Sequence, residues 1–150
     1  MSTASPFTVS TFAGSTIGTD DGTGTAAQFG SFNYIYNIAV DSSNNLFVTD
    51  GNRIRKVTPG AVVTAFYNAA GDRANLNNPS NIAIDSADTL YVVDRNNHRI
   101  RKITKDGTAS TFAGGTEGYA DGTGTAAQFK LPTGMVIDSV GTLYLSLIHI

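Results

Sequence analysis

The residues that could carry chemistry recur at regular intervals. Asp41, Asp85 and Asp138 each end an apolar run, and Asp50 and Asp94 end the run that follows it. Paired carboxylates can act as acid and base or bind metal, but a carboxylate demanded once per repeat more commonly caps turn amides or meets an arginine. These five are therefore read as structural, together with His98, which belongs to the repeated pattern. The other histidine, His149, stands near the end, and the two are not at metal-ligand spacing. There is no cysteine and no Ser-His-Asp order around a nucleophile elbow, so the chain offers no recognisable covalent catalyst.

Two further groupings bear on ligands. Asp20 and Asp21 in one glycine-rich segment, and Glu117 and Asp121 in another, suggest an oxygen-rich calcium loop. The spacing fits no EF-hand, and the segments lack the Gly-Lys-Ser/Thr ending of a phosphate loop. The simpler reading is a connector whose glycines permit positive φ and whose Phe29 or Phe129 anchors it by burial. No cofactor or metal is expected. The basic clusters Arg53-Ile54-Arg55-Lys56 and Arg99-Ile100-Arg101-Lys102 could follow a phosphate backbone. They recur with the repeat beside aspartates, and aromatic interleaving for base stacking is missing, so nucleic acid is disfavoured.

The elements that must position these groups repeat. Asp21 to Phe29 returns letter for letter as Asp121 to Phe129, and Thr11-Phe12-Ala13-Gly14 returns as Thr111 to Gly114, both after 100 residues. Two units fit that interval, and Arg53 to Arg99 gives a step of 46. Ile38-Ala39-Val40-Asp41 answers to Ile82-Ala83-Ile84-Asp85 and Met135-Val136-Ile137-Asp138; Leu46-Phe47-Val48-Thr49-Asp50 answers to Leu90-Tyr91-Val92-Val93-Asp94. The alternation has the period of a strand, and Asp, Ser and Asn separate the runs, so each unit reads as four short strands, a to d. The spacing predicts strands at 36–41, 45–49, 53–58 and 62–67, then 81–85, 89–93, 98–104 and 108–114, then 134–138 and 142–145, with 9–14 a leftover strand d. Such a sheet has two apolar faces and needs neighbours on both sides, which radial repetition supplies.

Pro132-Thr133-Gly134-Met135-Val136-Ile137-Asp138 with Leu143-Tyr144, and the run Leu90 to Ile103, resemble the NHL repeat. Asn97-His98-Arg99 matches its Asn-His-Leu signature in two of three positions. The resemblance runs from about Val9 to Tyr144 and implies an all-β fold: a partial β-propeller of antiparallel four-stranded blades, about two and a half repeats. The blades are expected at 36–67 and 81–114, an incomplete one at 134–145, the leftover outer strand at 9–14, and a tail that departs from the repeat at 146–150. NHL propellers are usually six-bladed, which at this step needs about 280 residues. The chain is thus expected to be a fragment needing further blades of its own chain to close, its last residues foreign to the repeat.

The resemblance to the variety found in bacterial surface and secreted proteins implies an extracellular or cell-envelope setting. It also implies a non-catalytic module that binds or displays a protein or carbohydrate ligand; the alternative is a fragment of a propeller lyase or lactonase with metal ligands in further blades. A net charge of −2 gives no bulk attraction to nucleic acid or anionic membrane. No apolar run is long enough to insert into a membrane, and the opening Met1-Ser2-Thr3-Ala4-Ser5-Pro6 has no signal-peptide core. The segment between Phe29 and Asp41 is three residues longer than its counterpart after Phe129, and it carries Tyr34, Tyr36 and Asn37. This irregular, tyrosine-bearing stretch is the candidate contact loop, the alternative being that its aromatics fill the groove between blades.

Overall fold

The computed structural model describes residues 8–30, 35–67 and 76–147. Its strands are β1 (Thr16–Gly18), β2 (Gly22–Thr23), β3 (Gln28–Gly30), β4 (Ile35–Val40), β5 (Leu46–Asp50), β6 (Arg53–Val57), β7 (Val62–Tyr67), β8 (Pro79–Ile84), β9 (Leu90–Asp94), β10 (Arg99–Ile103), β11 (Ala109–Gly114), β12 (Gly134–Ile137) and β13 (Leu143–Ser146). The first blade is the meander β4 to β7, the second is β8 to β11, and β12 with β13 supplies strands a and b of a third. All pairings inside the blades are antiparallel.

The same device shapes strands c and d in both complete blades. Register slips between Ile54 and Arg55 against β7, and between Ile100 and Arg101 against β11, so Phe66 and Phe112 are the extra residues of matching bulges. A bulge increases local twist and re-aims its side chain. Phe66 thereby meets Phe47 edge-on at 4.8 Å, and Phe112 meets Tyr91 at 5.3 Å.

Alternation along each strand assigns one face to the preceding blade and one to the next. Ala39 and Phe47 of the first blade pack with Ile82, Leu90 and Val92 of the second. Ala83 and Tyr91 pack in turn with Met135, Ile137, Leu143 and Leu145 of the third. The small residue on strand a lets neighbouring sheets converge, and the larger pair beside it fills the gap. At the two ends the same faces lie open: Ile38 and Val40 are 56% and 55% exposed, Val136 and Tyr144 63% and 57%.

One expected strand does not form. Residues 9–14 carry no strand pairing, whereas the identical Thr-Phe-Ala-Gly at 111–114 lies within β11. At 111–114 the partner is β10, whereas residues 9–14 pair with no strand among the described residues, and propensity alone does not hold an isolated strand. The chain instead runs through β1, which pairs in parallel with β3, and β2, which adds to the edge of β7 as a fifth strand. Residues 13–30 thus close over the first blade, burying Ala27 with Val48, Val57 and Val63.

Candidate functional site

The first set of aspartates sits at the turn between strands a and b, where each repeats one arrangement. Asp41 Oδ1 accepts from the amides of Ser43 and Asn45, Asp85 Oδ1 from Ala87 and Thr89, and Asp138 Oδ1 from Val140 and Thr142. The second oxygen shows local compensation. Tyr91 and Tyr144 donate their hydroxyls to Asp85 and Asp138, while the first blade has Phe47 there and uses the Asn45 amide instead. The Asp138 carboxyl is held below its ordinary range, chiefly by the Thr142 amide. Asp41 is lowered despite burial, which acts the other way, because Asn45 and Ser43 donate to it.

The second set closes the opposite end. Asp50 is fully buried; its Oδ1 accepts from Gly30 N at 2.6 Å and its Oδ2 from Arg53 and Arg55. Asp94, also fully buried, accepts from Asn77 N at 2.7 Å, Asn97 Nδ2 and Arg99 Nε. Each carboxylate ties the chain entering strand a to the turn between strands b and c. The arginines of the basic clusters are taken up by the fold: Arg55 and Arg101 are buried, and Arg53 and Arg99 pair with Asp50 and Asp94.

A further carboxylate, Asp88, has no repeated counterpart and joins two blades. Its oxygens accept from the amide and hydroxyl of Ser42 in the first blade, both at 2.8 Å, and from Lys105 at 2.9 Å. The Ser42 amide, then Lys105 and the Ser42 hydroxyl, hold its carboxyl down at about 2. Sequence reasoning missed it, although one signal was present. Asp88 occupies the positive-φ turn position held by Asn44 and Gly141 in the other blades, and only one of the three is charged.

Two of the four carboxylates suggested for calcium hold the chain's own cations. Asp21 Oδ1 accepts from Arg55 at 2.7 Å, and Glu117 pairs with Lys130 at 3.0 Å, which lowers the glutamate's pKa. His98 adopts a left-handed conformation at φ 54° after the turn Arg95–Asn97, its Nδ1 accepts from Leu131 N, and its Nε2 lies 3.8 Å from Glu117. Among the described residues no group of three or more His, Cys, Asp or Glu is placed to hold a metal ion. Nor is any helix there long and apolar enough to cross a membrane.

Of the candidate contact residues, Tyr34 lies outside the described residues. Tyr36 and Asn37 sit at a bulge in strand a, where register slips between Ile35 and Ile38. Both amides donate to Oγ1 of Thr49, which is fully buried. The register aligns Tyr36 with Ser80 and Thr133. Ser80 donates its hydroxyl to Thr133 O at 2.8 Å and so links the second and third blades, whereas Tyr36 is 43% exposed. Beside it, Phe12, Phe29, Ile35, Ile38, Val48 and Val57 line an apolar cavity of about 310 Å³.

Residues 76–103 match the NHL repeat model. A structural genomics protein of unknown function from Bacteroides thetaiotaomicron superposes with a TM-score of 0.62 at 25% identity, over 74% of this chain and 30% of that one. An auxiliary nutrient binding protein from the same organism gives 0.60 at 25%, over 72% and 33%. Virginiamycin B lyase from Staphylococcus aureus gives 0.54 at 21%, over 76% and 34%, a likeness of fold alone. No curated protein matches the chain. The chain spans about a third of the length of these structures. Residues 76–103 of the second blade thus carry an NHL repeat, and the antiparallel four-stranded sheets stacked face to face have the architecture of part of a β-propeller.

Proposed function

We propose that the chain is part of a non-catalytic propeller that binds or displays a protein or carbohydrate ligand, with its contact patch at the start of β4 around Tyr36 and Asn37 and continuing to Tyr34. The observation that carries this reading is the fate of one repeat position. Where Ser80 is spent on a hydrogen bond between blades, the first blade substitutes a large amphipathic ring and leaves it half in solvent. Such a ring supplies contact area with little conformational cost, and stacks on sugars and peptides alike. The recurring carboxylates and arginines are engaged within and between blades, so recognition falls to positions where the blades differ.

An extracellular or cell-envelope setting is part of this proposal; the likeness to an auxiliary nutrient binding protein supports it. The full propeller, with further blades of the same chain, would then present the patch on its loop-rich face. A lyase or lactonase would need axial ligands from other blades.

The test is a screen of the full chain against glycan and peptide arrays, followed by titration of the best ligand. Tyr36→Ala should weaken it at least about tenfold, and Lys56→Ala should leave it within about twofold, the contrast expected between a central aromatic and a peripheral charge. Dominance of Lys56 would reverse the assignment.

A further inference from the structure

The turn that follows strand a is built alike in all three blades, except at one position. Ser42, Ser86 and Ser139 come directly after the turn aspartates, and two residues further on stand Asn44, Asp88 and Gly141, at positive φ of 61°, 60° and 89°. Where the first and second blades meet, the serine of one turn holds the positive-φ residue of the next. Ser42 N donates to Asp88 Oδ1 and the Ser42 hydroxyl to Asp88 Oδ2, each at 2.8 Å, so that each carboxylate oxygen has its own donor. This seam accepts a carboxylate although another stands nearby. Burial and the charge of Asp88 both push the Asp41 carboxyl up, yet donation from Asn45 and Ser43 leaves it below its ordinary range, while Asp88 itself is held at about 2 by Ser42 and Lys105.

In the seam between the second and third blades, Ser86 takes the place of Ser42 and Gly141 that of Asp88. The amide and hydroxyl of Ser86 have no hydrogen-bond partner among the described residues, and a Cβ added to Gly141 would meet nothing within 4 Å. Ser86 and Gly141, with Asp85, Asp138 and Ser139, line a cavity of about 440 Å³. Its walls come from β8, β12 and the turns after them, at the opposite end of strand a from Tyr36.

The remaining polar lining selects among anions. Asp85 Oδ1 and Asp138 Oδ1 each accept from two amides, but each Oδ2 accepts only a tyrosine hydroxyl, at 3.4 and 3.2 Å, and keeps room for a further donor. A bare anion would be repelled by these two carboxylates. A molecule that sets a carboxylate against Ser86 and turns its own hydroxyls to the aspartates satisfies both kinds of group, and the volume suits a single sugar ring.

We propose that the seam between the second and third blades is a binding site for a small polyhydroxylated carboxylate of the uronic acid class, whose carboxylate takes from Ser86 the two hydrogen bonds that Asp88 takes from Ser42. The ligand's hydroxyls donate to Asp85 and Asp138, and Gly141, by carrying no side chain, leaves the space the ligand needs. The site shares no residue with the patch around Tyr36 and stands or falls independently of it.

The test is equilibrium dialysis of the full chain against radiolabelled glucuronate. Saturable binding is expected, with glucuronamide, which keeps the shape and loses the charge, competing at least about tenfold less well. That comparison uses the unaltered chain, so it holds whether or not a variant folds. Ser86→Ala should weaken binding by a similar factor. Gly141→Asp should abolish it, because the chain then supplies its own carboxylate as it does at Asp88. Asp88→Gly, with the fold verified by circular dichroism, should open the first seam to a second molecule of glucuronate. No saturable binding up to about 10 mM would overturn the proposal. So would equal competition by glucuronamide or by inorganic phosphate, or an unchanged stoichiometry in folded Asp88→Gly, since the serine would then not be selecting a carboxylate.

Discussion

Replacing Asp94 by alanine removes a fully buried carboxylate that accepts from Asn77 N at 2.7 Å, Asn97 Nδ2 at 2.9 Å and Arg99 Nε at 2.7 Å. The Asn77 amide belongs to the segment entering strand a, and no alanine atom can accept from it. Arg99 keeps a side-chain exposure of 20%, so part of its lost pairing can be met by water. Breaking a buried pair by deleting one partner costs about 3–5 kcal/mol, and the partial exposure of Arg99 places this case near the lower end. For a chain of this length that corresponds to a fall in Tm of roughly 6–12 °C. Asp94→Asn keeps an acceptor for Asn77 N but loses the charge opposite Arg99, and should fall between the two. Wild type and both variants should be compared by thermal and urea unfolding at equal protein concentration, because association shifts apparent stability. If Asp94→Ala melts within a degree or so of wild type while a ligand identified by array screening no longer binds, the residue serves recognition and the structural argument fails.

Other perturbations test neighbouring links. Gly114→Ala should destabilise by about 2–4 kcal/mol, because a Cβ there would stand 2.5 Å from His98 O and from the Phe129 ring at φ +78°, whereas Gly107→Ala, at φ +86° with nothing within 4 Å, should cost only the backbone strain of about 1 kcal/mol; equal losses in urea unfolding would contradict the packing argument. Asp88 has a folded-state pKa of about 2, below its ordinary 3.8, so its contribution is present above pH 4 and lost as pH falls toward 2. Asp88→Asn should therefore flatten the stability profile between pH 4 and 2, and an unchanged acid slope would show that the Ser42 and Lys105 contacts do not contribute. The chain by itself should self-associate in sedimentation velocity through its open sheet faces, and Val136→Thr with Ile38→Thr should reduce it; a monodisperse wild-type monomer would mean that these faces need no cover.

The blades were legible because strand period, turn residues and repeat spacing agree. Ile38-Ala39-Val40 and Ile82-Ala83-Ile84 show both the alternation and the small residue that lets sheets converge. Residues 9–14 were misread for the same reason that their copy at 109–114 was legible: identical letters were assigned identical structure, but a strand is defined by its partner. The bulges at Phe66 and Phe112 were also hidden, since an extra residue in one strand is visible only against the residues opposite. Asp88 was passed over because attention to what recurs discards what occurs once.

Asp41, Asp85 and Asp138 occupy equivalent turns, yet the frame tolerates Phe47 where the other blades have tyrosine, because Asn45 replaces the missing hydroxyl. Compensation of this kind frees individual positions without costing the blade its turn. Tyr36 stands at the position where Ser80 bonds to the next blade, and there the Thr49 hydroxyl accepts from the bulge amides, a role that Val93 cannot perform in the second blade. On the function proposed above, Thr49→Val should therefore weaken ligand binding at the head of β4, although Thr49 is fully buried and would not meet the ligand.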